Sequence, residues 1–598
     1  MKELQMLAPD SRRTLIDQLR PPVGYRLDAA VGTTFTLDLT AALVPPLAFA
    51  SFAVRSTTDP VSVLEAVRSC ADRVDVFAQE GSVRAPSRYT ALTAFLEPML
   101  HEVRAPAGGL FHPKLWLLRF TADDEQDAYR LVVLSRNLTE DHAWDVSLTL
   151  DASRGTRAAA RNRPLSALIR SLPDRTRQAV PEHRRARIDQ LGEDVRYLEW
   201  ESPEGVTELA FHVFGVANER ASPDLNGYRH LVVSPFLNDA GLGQLTAGTK
   251  SATVVSRASS LDTLATETVQ GLGGTYVVST VAGLDDGDSA EDDKPAALLN
   301  DLHAKLVVVE RGQQAHLFLG SANATDAALN RNVEILVQLT GGKKFFGVGT
   351  MLDPGSPFLG MLEQYDTIGG AIPEPDAEAI WQLENALRVL ASRRWIVSVG
   401  RSHGSYSLRF ETRDGATVPA NMTAQVEPLA HPGAARAVDD GRTSHGTVEG
   451  VSLIEVSPFL RLRLTDDGGR EAACVVRAEL IGDPEGRLDE VLASQINTPE
   501  KFLRFLALLL GLGQAHPLAM MGLGDAATAS SGGIAPAPQV FEIVVRALAR
   551  SPESIDDLDR LVRRLLATES GAANLPEGFA SFWEVVTASR SQLTSEAT

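Results

Sequence analysis

The 598-residue sequence predicts an α/β protein of two similar halves, followed by a small β domain and a helical C-terminal module. Three patterns support this prediction: a repeated strand motif around residues 112 and 303, alternating apolar and polar residues between about 395 and 486, and helical periodicity after residue 488. A chain of this length exceeds one ordinary hydrophobic core. We therefore expect four segments, at 1–200, 201–394, 395–487 and 488–598.

The repeated motif begins with His-x-Lys-Leu and ends, after two apolar runs, with Ser-x-Asn-x-Thr. The first copy reads FHPKLWLLRF and YRLVVLSRNLT, the second reads LHAKLVVVER and HLFLGSANAT, and their histidines are 191 residues apart. Random placement of twelve histidines and eight lysines would give only about 0.16 His-x-Lys triplets. The repeat therefore indicates an internal duplication.

Each copy brings together groups that suit the binding of one phosphate. Residues i and i+2 of a strand point to the same face, so each histidine lies beside its lysine. The asparagine and serine follow the next strand, where a turn into a helix also offers backbone N–H groups. The candidate residues are His112, Lys114, Asn137 and Ser135 in the first copy and His303, Lys305, Asn323 and Ser321 in the second.

These motifs resemble the phospholipase D superfamily, the HKD-type phosphodiesterases that pair two His-x-Lys half-sites in one active centre. The resemblance covers roughly residues 25 to 390. In the best-known family motif an Asp stands five residues after the lysine, whereas here Arg119 and Glu310 occupy those places. The second copy instead resembles the nuclease branch, in which His303, Lys305, Asn323 and the later Glu334 would form the half-site.

The acid of the first half-site is less clear from sequence. Aligning DVSLTL with NVEILV, with a one-residue gap, places Ser147 opposite Glu334 and Asp145 opposite Asn332. Two alternatives follow: Asp145 supplies the acid from a neighbouring position, or the first half has no acid.

The resemblance implies two α/β/α sandwich halves related by pseudo-two-fold symmetry. The segment HLVVSPFL, residues 230–237, is expected to open the second half, with the apolar run around Phe52 to Val54 as a weaker counterpart in the first. It also implies covalent catalysis, in which one histidine attacks phosphorus and the other protonates the leaving oxygen. No metal or other cofactor is expected. An acid near His303 slightly favours that residue as the nucleophile.

Charge is unevenly distributed along this acidic chain, whose formal net charge is −20. Residues 154–187 contain ten arginines, and Leu165, Leu168, Ile169 and Leu172 recur at helical spacing, which predicts a helix with one buried stripe. Its arginines form either a solvated face or a phosphate-binding arm, for which the candidates are Arg154, Arg157, Arg161 and Arg163. The acidic run LDDGDSAEDD, residues 284–293, is expected to be an exposed loop.

The function expected from these features is a nuclease, with DNA favoured over RNA. The alternatives are a phospholipase or small-phosphodiester hydrolase, and a nucleic-acid-binding module without turnover. The start of the chain does not have the pattern of a signal peptide, and two cysteines are too few for a disulfide framework. We therefore expect a cytoplasmic protein that does not act at a membrane. The layout also resembles bacterial phospholipase D-like proteins of phage defence and restriction, which implies a helicase or other defence-system partner. Either a monomer or a homodimer could form a complete site.

Overall fold

The computed structural model describes most of the first 496 residues and parts of the C-terminal region. The described residues are 15–49, 67–68, 70–86, 89–123, 125–140, 143–219, 223–279, 302–372, 375–496, 498–499, 501–502, 559, 561–563, 565–567, 569–576 and 578–596. The predicted acidic loop at 284–293 and the apolar run Phe52 to Val54 lie outside these residues.

Four β-sheets form the framework. The first sheet contains β1 (Arg26–Thr34), β3 (Val74–Gln79), β5 (Leu100–Val103), β6 (Leu115–Thr121), β7 (Ala128–Leu134), β8 (Ser147–Arg154) and β9 (Leu198–Trp200). The second contains β10 (Val206–Phe214), β11 (Arg229–Val233), β12 (Ala252–Val255), β13 (Gly274–Val278), β14 (Leu306–Arg311), β15 (Gln314–Gly320), β16 (Glu334–Gly342) and β17 (Leu362–Gln364).

The first and second sheets share one strand arrangement. The first has the order β5-β3-β1-β6-β7-β8-β9, and the second has β13-β12-β11-β14-β15-β16-β10, with β17 added beside β13. In both, the first two pairs in this order are parallel and the following pairs are antiparallel. β11 has the same place in the second sheet as β1 has in the first, so β1, rather than the run near Phe52, is its counterpart. Residues 230–233 are not the opening strand that the sequence predicted, because β10 precedes them in the chain within the same sheet.

The two motif strands are buried on both faces, which explains their continuous apolar sequences. Along β6, Leu115 and Leu117 belong to a hydrophobic cluster shared by both sheets, whereas Trp116 and Leu118 contact a separate cluster on the other face. Along β14, alternate residues divide in the same way between the shared cluster and a cluster of the second half. This period of two follows from the pleat of a strand.

Residues 395–481 form the predicted β region. Its strands are β18 (Trp395–Ser402), β19 (Ser405–Thr412), β20 (Met422–Pro428), β21 (Arg436–Ala437), β22 (Ser444–Val451), β23 (Phe459–Asp466), β24 (Glu471–Arg477) and β25 (Glu479–Ile481). Two short N-terminal strands, β2 (Leu37–Asp38) and β4 (Val83–Arg84), join β20, β21, β23 and β24 in one sheet. The β region is therefore joined by strand pairing to the first half of the chain.

Helices cover the sheets and extend into the C-terminal region. They are α1 (Leu15–Leu19), α2 (Val44–Phe49), α3 (Arg163–Arg175), α4 (Glu182–Val195), α5 (Asp239–Leu245), α6 (Ala258–Asp262), α7 (Thr266–Gln270), α8 (Asp326–Asn330), α9 (Lys343–Phe346), α10 (Val348–Met351), α11 (Pro357–Gly360), α12 (Pro375–Ala391), α13 (Arg487–Gln495), α14 (Glu569–Ala572) and α15 (Phe579–Glu596).

The described part of the C-terminal region packs against the first half. Phe502, Leu561, Phe579 and Trp583 belong to the same hydrophobic cluster as Trp116 of β6. The parts of the predicted helical segments that fall between residues 503 and 558 lie outside the described residues.

The arginine-rich segment forms α3 and α4, and the predicted apolar stripe is confirmed, since all four of its residues are fully buried. Seven of the ten arginines pair with carboxylates, many of them distant in sequence. Arg184, for example, is buried and contacts Asp75 at 3.0 Å, and Arg177 contacts Glu80 at 2.7 Å. The positive charge of these arginines is therefore largely neutralised by carboxylates in the folded protein.

A buried ion pair links the first half to the β region. The Arg487 guanidinium donates two hydrogen bonds to Glu97, at 2.9 and 2.7 Å, and both residues are buried. We expect Glu97→Ala to lower the free energy of unfolding by about 3 kcal/mol, because the buried guanidinium loses two hydrogen bonds and keeps only the more exposed Asp483 as a carboxylate partner, at 2.7 Å. Urea denaturation measures this loss. Replacing both residues, as Glu97→Leu with Arg487→Met, should cost less than the single change; a larger cost would contradict a desolvation penalty.

Candidate active site

The repeated motifs lie at corresponding ends of the two sheets, which we call the motif ends. In the first sheet, β6 begins directly after Lys114 and β7 ends directly before Ser135. In the second, β14 begins after Lys305 and β15 ends before Ser321. Because β6 and β7, like β14 and β15, are antiparallel neighbours, the histidine, lysine and asparagine of each copy are brought to one end of their sheet.

Contacts across the two halves join the motif ends into one site. His112 Nδ1 lies 2.9 Å from the Glu334 carboxylate, although the two residues are 222 positions apart. The Lys305 ammonium donates to the backbone oxygen of Ser135 at 3.3 Å. The backbone N–H of His303 also donates to the Trp144 oxygen at 2.8 Å, just as that of His112 donates to Val333 at 2.9 Å. These contacts bring the motif ends of the two sheets together.

Glu334 contacts the histidine of the other half, which corrects the sequence expectation that it would orient His303. Its carboxylate is fully buried, accepts a short hydrogen bond from the Ser321 hydroxyl, and accepts another from the Asn332 amide at 3.1 Å. The Asn332 oxygen in turn accepts from the Leu110 N–H at 3.0 Å. Asn332 was not a predicted site residue, because its contacts become visible only when the halves are assembled.

The acid of the first half-site is at the position that corresponds to Glu334. The backbone N–H of Ser135 donates to Val146, and that of Ser321 donates to Ile335, each at 3.0 Å. Both serine hydroxyls also accept from the N–H of that same partner. The residue before each partner is Asp145 or Glu334, so the sequence alignment that placed Ser147 opposite Glu334 was wrong.

The environment of Asp145 differs from that of Glu334. Asp145 is partly exposed and lies 3.9 Å from the guanidinium of Arg136, the residue that follows the motif serine of the first copy. In the second copy, an alanine occupies the place of this arginine. A cavity of about 370 Å³ lies beside Asp145 and Asn137 and is also lined by Arg136 and Ser147. The two half-sites are therefore similar in backbone but unequal in polarity and access.

Burial determines the electrostatics of the centre. Lys114 and Lys305 are only 1% and 2% exposed, and their ammonium groups donate to the backbone oxygens of His112 and His303 at 3.0 and 2.8 Å. Burial lowers the pKa of Lys114 well below its usual value, opposed by Glu334. Burial and the two lysines also lower the pKa of His112 to about 4 against the opposing effect of Glu334. His112 is thus neutral at pH 7, and an Nδ1–H donated to Glu334 leaves the Nε2 lone pair free to react.

The two motif asparagines are held by a matching pair of hydroxyls. Thr34 accepts from the N–H of Leu138, and Ser234 accepts from that of Ala324, each at 3.0 Å and each one residue after the asparagine. Among the described residues, the buried Oδ1 atoms of Asn137 and Asn323 have no hydrogen-bond partner. After the second copy, the predicted helix is present as α8, which Thr325 caps. Within the part of the chain that the structure describes, no helix follows the first copy directly.

Other charged residues considered from sequence lie at the opposite ends of the sheets. Arg119 pairs with Asp28 and Asp194, and Glu310 accepts from the Gly349 N–H at 3.3 Å. The four arginine candidates of the phosphate-binding arm are exposed, but β8 runs from the motif end to Arg154 over eight residues, or roughly 25 Å. Of these four, Arg154 pairs with Asp194 and Arg163 with Glu219.

The described residues offer neither a metal site nor a membrane-spanning helix. They contain no group of three or more His, Cys, Asp and Glu side chains placed to hold a metal ion. None of their helices is both long and apolar enough to cross a membrane.

Comparison with known proteins gives matches only among solved structures. No family model matches the chain, and no curated protein sequence matches it. The fold is similar to that of yeast tyrosyl-DNA phosphodiesterase. The match to that enzyme has 11% identity and a TM-score of 0.34, and it covers 56% of this chain and 87% of the yeast chain. A histidine-to-alanine mutant of the yeast enzyme matches with 10% identity, a TM-score of 0.35, and coverage of 57% and 88%.

The burial of His112 predicts an unusual pH dependence. The pKa of His112 is about 4 in the folded protein and near 6.5 when unfolded, so the folded state binds fewer protons between these values. The contribution of His112 to the free energy of unfolding is therefore complete above about pH 6.5 and is lost as the pH falls towards 4. The acidic limb of kcat/KM that reports His112 should accordingly lie near pH 4, as a pH–rate profile would reveal.

Replacing the carboxylate tests whether it orients His112. We expect Glu334→Gln to reduce kcat by roughly 100- to 10,000-fold, because the amide cannot hold the imidazole tautomer or stabilise the imidazolium. Glu310→Gln, the same change at the opposite end of the same sheet, is the matched control and should leave kcat unchanged. Equal kcat for Glu334→Gln and the original protein would show that Glu334 does not orient the histidine.

Proposed function

We propose that the chain is a phospholipase D-superfamily phosphodiesterase that cleaves nucleic acid, with DNA as the favoured substrate, and that it does so without a metal ion. The observation that carries this proposal is the hydrogen bond between His112 of the first motif and Glu334 of the second, beside the two buried lysines. Such a contact requires the two copies to build one centre. We propose that this centre combines the two motif histidines, the two lysines and the two asparagines, and that together they bind one phosphate.

The duplicated halves, 1–200 and 201–394, are proposed as the two parts of this catalytic unit. Their common strand order and their matching serine and histidine backbone hydrogen bonds support a pseudo-two-fold relation. The segments 395–487 and 488–598 are proposed as the appended β and helical modules. Because one chain supplies both half-sites, a monomer is sufficient for catalysis and a homodimer is not required.

The two histidines are proposed to have different roles. His112 Nε2 attacks phosphorus and forms a P–N bond while the P–O bond to the leaving group breaks, and His303 gives that oxygen its proton. His303 then takes a proton from water, whose oxygen attacks phosphorus and releases His112. The neutral state of His112 and its buried carboxylate favour it as the nucleophile, in place of the slight preference for His303 that the sequence suggested.

The lysines and asparagines stabilise the developing charge on the phosphoryl oxygens. A bound phosphate dianion or diester would restore the charged form of Lys114, whose pKa is lowered by burial. Asp145, which corresponds to Glu334, is proposed to orient His303 in the same way that Glu334 orients His112. Ser135 and Ser321 position the strands that carry these two acids.

Cleavage in the presence of a chelator tests the proposal directly. Purified protein in EDTA should cut labelled single- or double-stranded DNA or RNA, and His112→Ala and His303→Ala should each abolish cleavage, because each histidine performs a step that the other cannot replace. His183→Ala, a change in α4 away from the motif ends, is the matched control. No cleavage of any polymer, or full activity of either motif-histidine variant, would refute a shared nuclease centre.

A second test concerns the proposed nucleic-acid contacts of the arginine-rich segment. Arg157 and Arg161 are exposed and make no ion pair among the described residues, so they can bind phosphates at the end of the first sheet opposite the site. Replacing both by alanine should weaken binding of DNA longer than about seven nucleotides and reduce the slope of log K against log salt by up to about 2. Shorter oligonucleotides should bind as before.

Fluorescence anisotropy at several salt concentrations measures both effects. Arg401→Ala with Arg442→Ala removes the same charge from the β region and serves as the control. An unchanged slope for the Arg157 and Arg161 variant would assign these residues to a merely solvated face.

The biological setting is proposed from the family resemblance of the layout alone. It is cytoplasmic phage defence or restriction, with a helicase or other defence-system protein as the partner.

A further inference from the structure

An exposed aromatic ring with a stacked arginine lies at the motif end of the second sheet. Phe236 follows β11, is 46% exposed, and lies with its ring centroid 4.5 Å from the Arg257 guanidinium carbon. Arg257 donates to the backbone oxygen of Leu302, the residue before His303, at 3.3 Å. Leu237 pairs with Ala324, the residue after Asn323. The ring and the guanidinium therefore border the second half-site.

At the positions that correspond to Phe236 and Arg257, the first half-site has neither a ring nor a charge; its Phe35 instead lies against His112 itself, with a centroid distance of 5.3 Å. In the equivalent strands β1 and β11, Thr33 pairs with Phe77 and Val233 pairs with Val255. The residues two positions after these partners are Gln79 and Arg257, which therefore correspond to each other. Gln79 also contacts the backbone before its histidine, since its oxygen accepts from the Phe111 N–H at 2.7 Å.

The residue that corresponds to Phe236 is a threonine. Thr34 and Ser234 hydroxyls donate to backbone oxygens two residues later, those of Thr36 and Phe236, at 2.7 and 2.8 Å. The stacking pair therefore breaks the symmetry of the centre and marks one side of it.

We propose that Phe236, held by Arg257, is the platform on which a nucleobase of a single strand stacks on the His303 side of the scissile phosphate. An exposed ring beside a phosphate site accepts any base, because every base presents a flat π surface, and a neighbouring guanidinium adds attraction to the strand. A base within duplex DNA is already stacked on its neighbours and cannot use the platform. The inference rests on the proposed function and extends it: the substrate is unpaired at the site and enters in one direction.

Binding of an oligonucleotide with a movable abasic residue tests the platform. The probe is a fluorescent thymidine decamer in which one nucleotide at a time is replaced by an abasic analogue. The protein is the full chain carrying His112→Ala, so that the probe stays intact during anisotropy measurements. We expect one probe position at which loss of the base weakens binding about tenfold, the usual magnitude for one stacked base.

Phe236→Ala in the same protein should weaken binding of the complete decamer by a similar factor and remove the sensitivity at that position. Phe236→Trp should restore both. The matched control is Tyr228→Ala, which removes another ring partly exposed beside a cation, Lys343, from the opposite end of the same sheet, and it should change neither.

The platform is overturned if Phe236→Ala binds the decamer as tightly as the parent, or if it retains the same abasic sensitivity. It is also overturned if duplex binding falls as much as single-strand binding. These outcomes are independent of turnover. If one probe position is sensitive to loss of its base but the wild-type protein cleaves nothing, the stacking proposal stands and the nuclease proposal is refuted.

Discussion

The hydrogen bond between His112 and Glu334 is the contact on which the proposed chemistry depends. It crosses the boundary between the halves, and it can form only when the backbone of His112 lies beside Val333 and that of His303 lies beside Trp144. The hydrophobic cluster shared by the inner faces of both sheets provides that alignment. Packing of apolar side chains thus determines the protonation and orientation of a histidine at the end of the sheets.

The burial of Lys114 and Lys305 costs free energy. Removing an ammonium group from water disfavours its charged form, as the lowered pKa of Lys114 shows. Backbone oxygens satisfy part of the hydrogen-bonding capacity of each lysine, and the single buried carboxylate beside them already contacts His112, Ser321 and Asn332. In the proposed function, an entering phosphate brings negative charge to the two lysines, so the energy lost on burying them favours binding of that group.

The halves combine a common backbone with divergent side chains. The hydroxyls of Thr34 and Ser234 and the motif serines keep the same hydrogen bonds in both, which preserves the positions of the asparagines and acids. Around this framework, Asp145 lies beside an arginine while Glu334 is buried among neutral partners. In the proposed mechanism, this divergence gives the two histidines the different surroundings that their different steps require.

The sequence by itself determined the local features of this protein. Strand alternation around His112 and His303, the buried stripe of α3 and the strands after residue 395 depend on periodicities of two and 3.6 residues, which neighbouring residues express directly. The tertiary structure alone decided that Glu334 contacts His112, that Asp145 corresponds to Glu334, and that most of the arginines between 154 and 187 are neutralised. Those outcomes depend on contacts between residues far apart in the chain, and no local periodicity encodes such contacts.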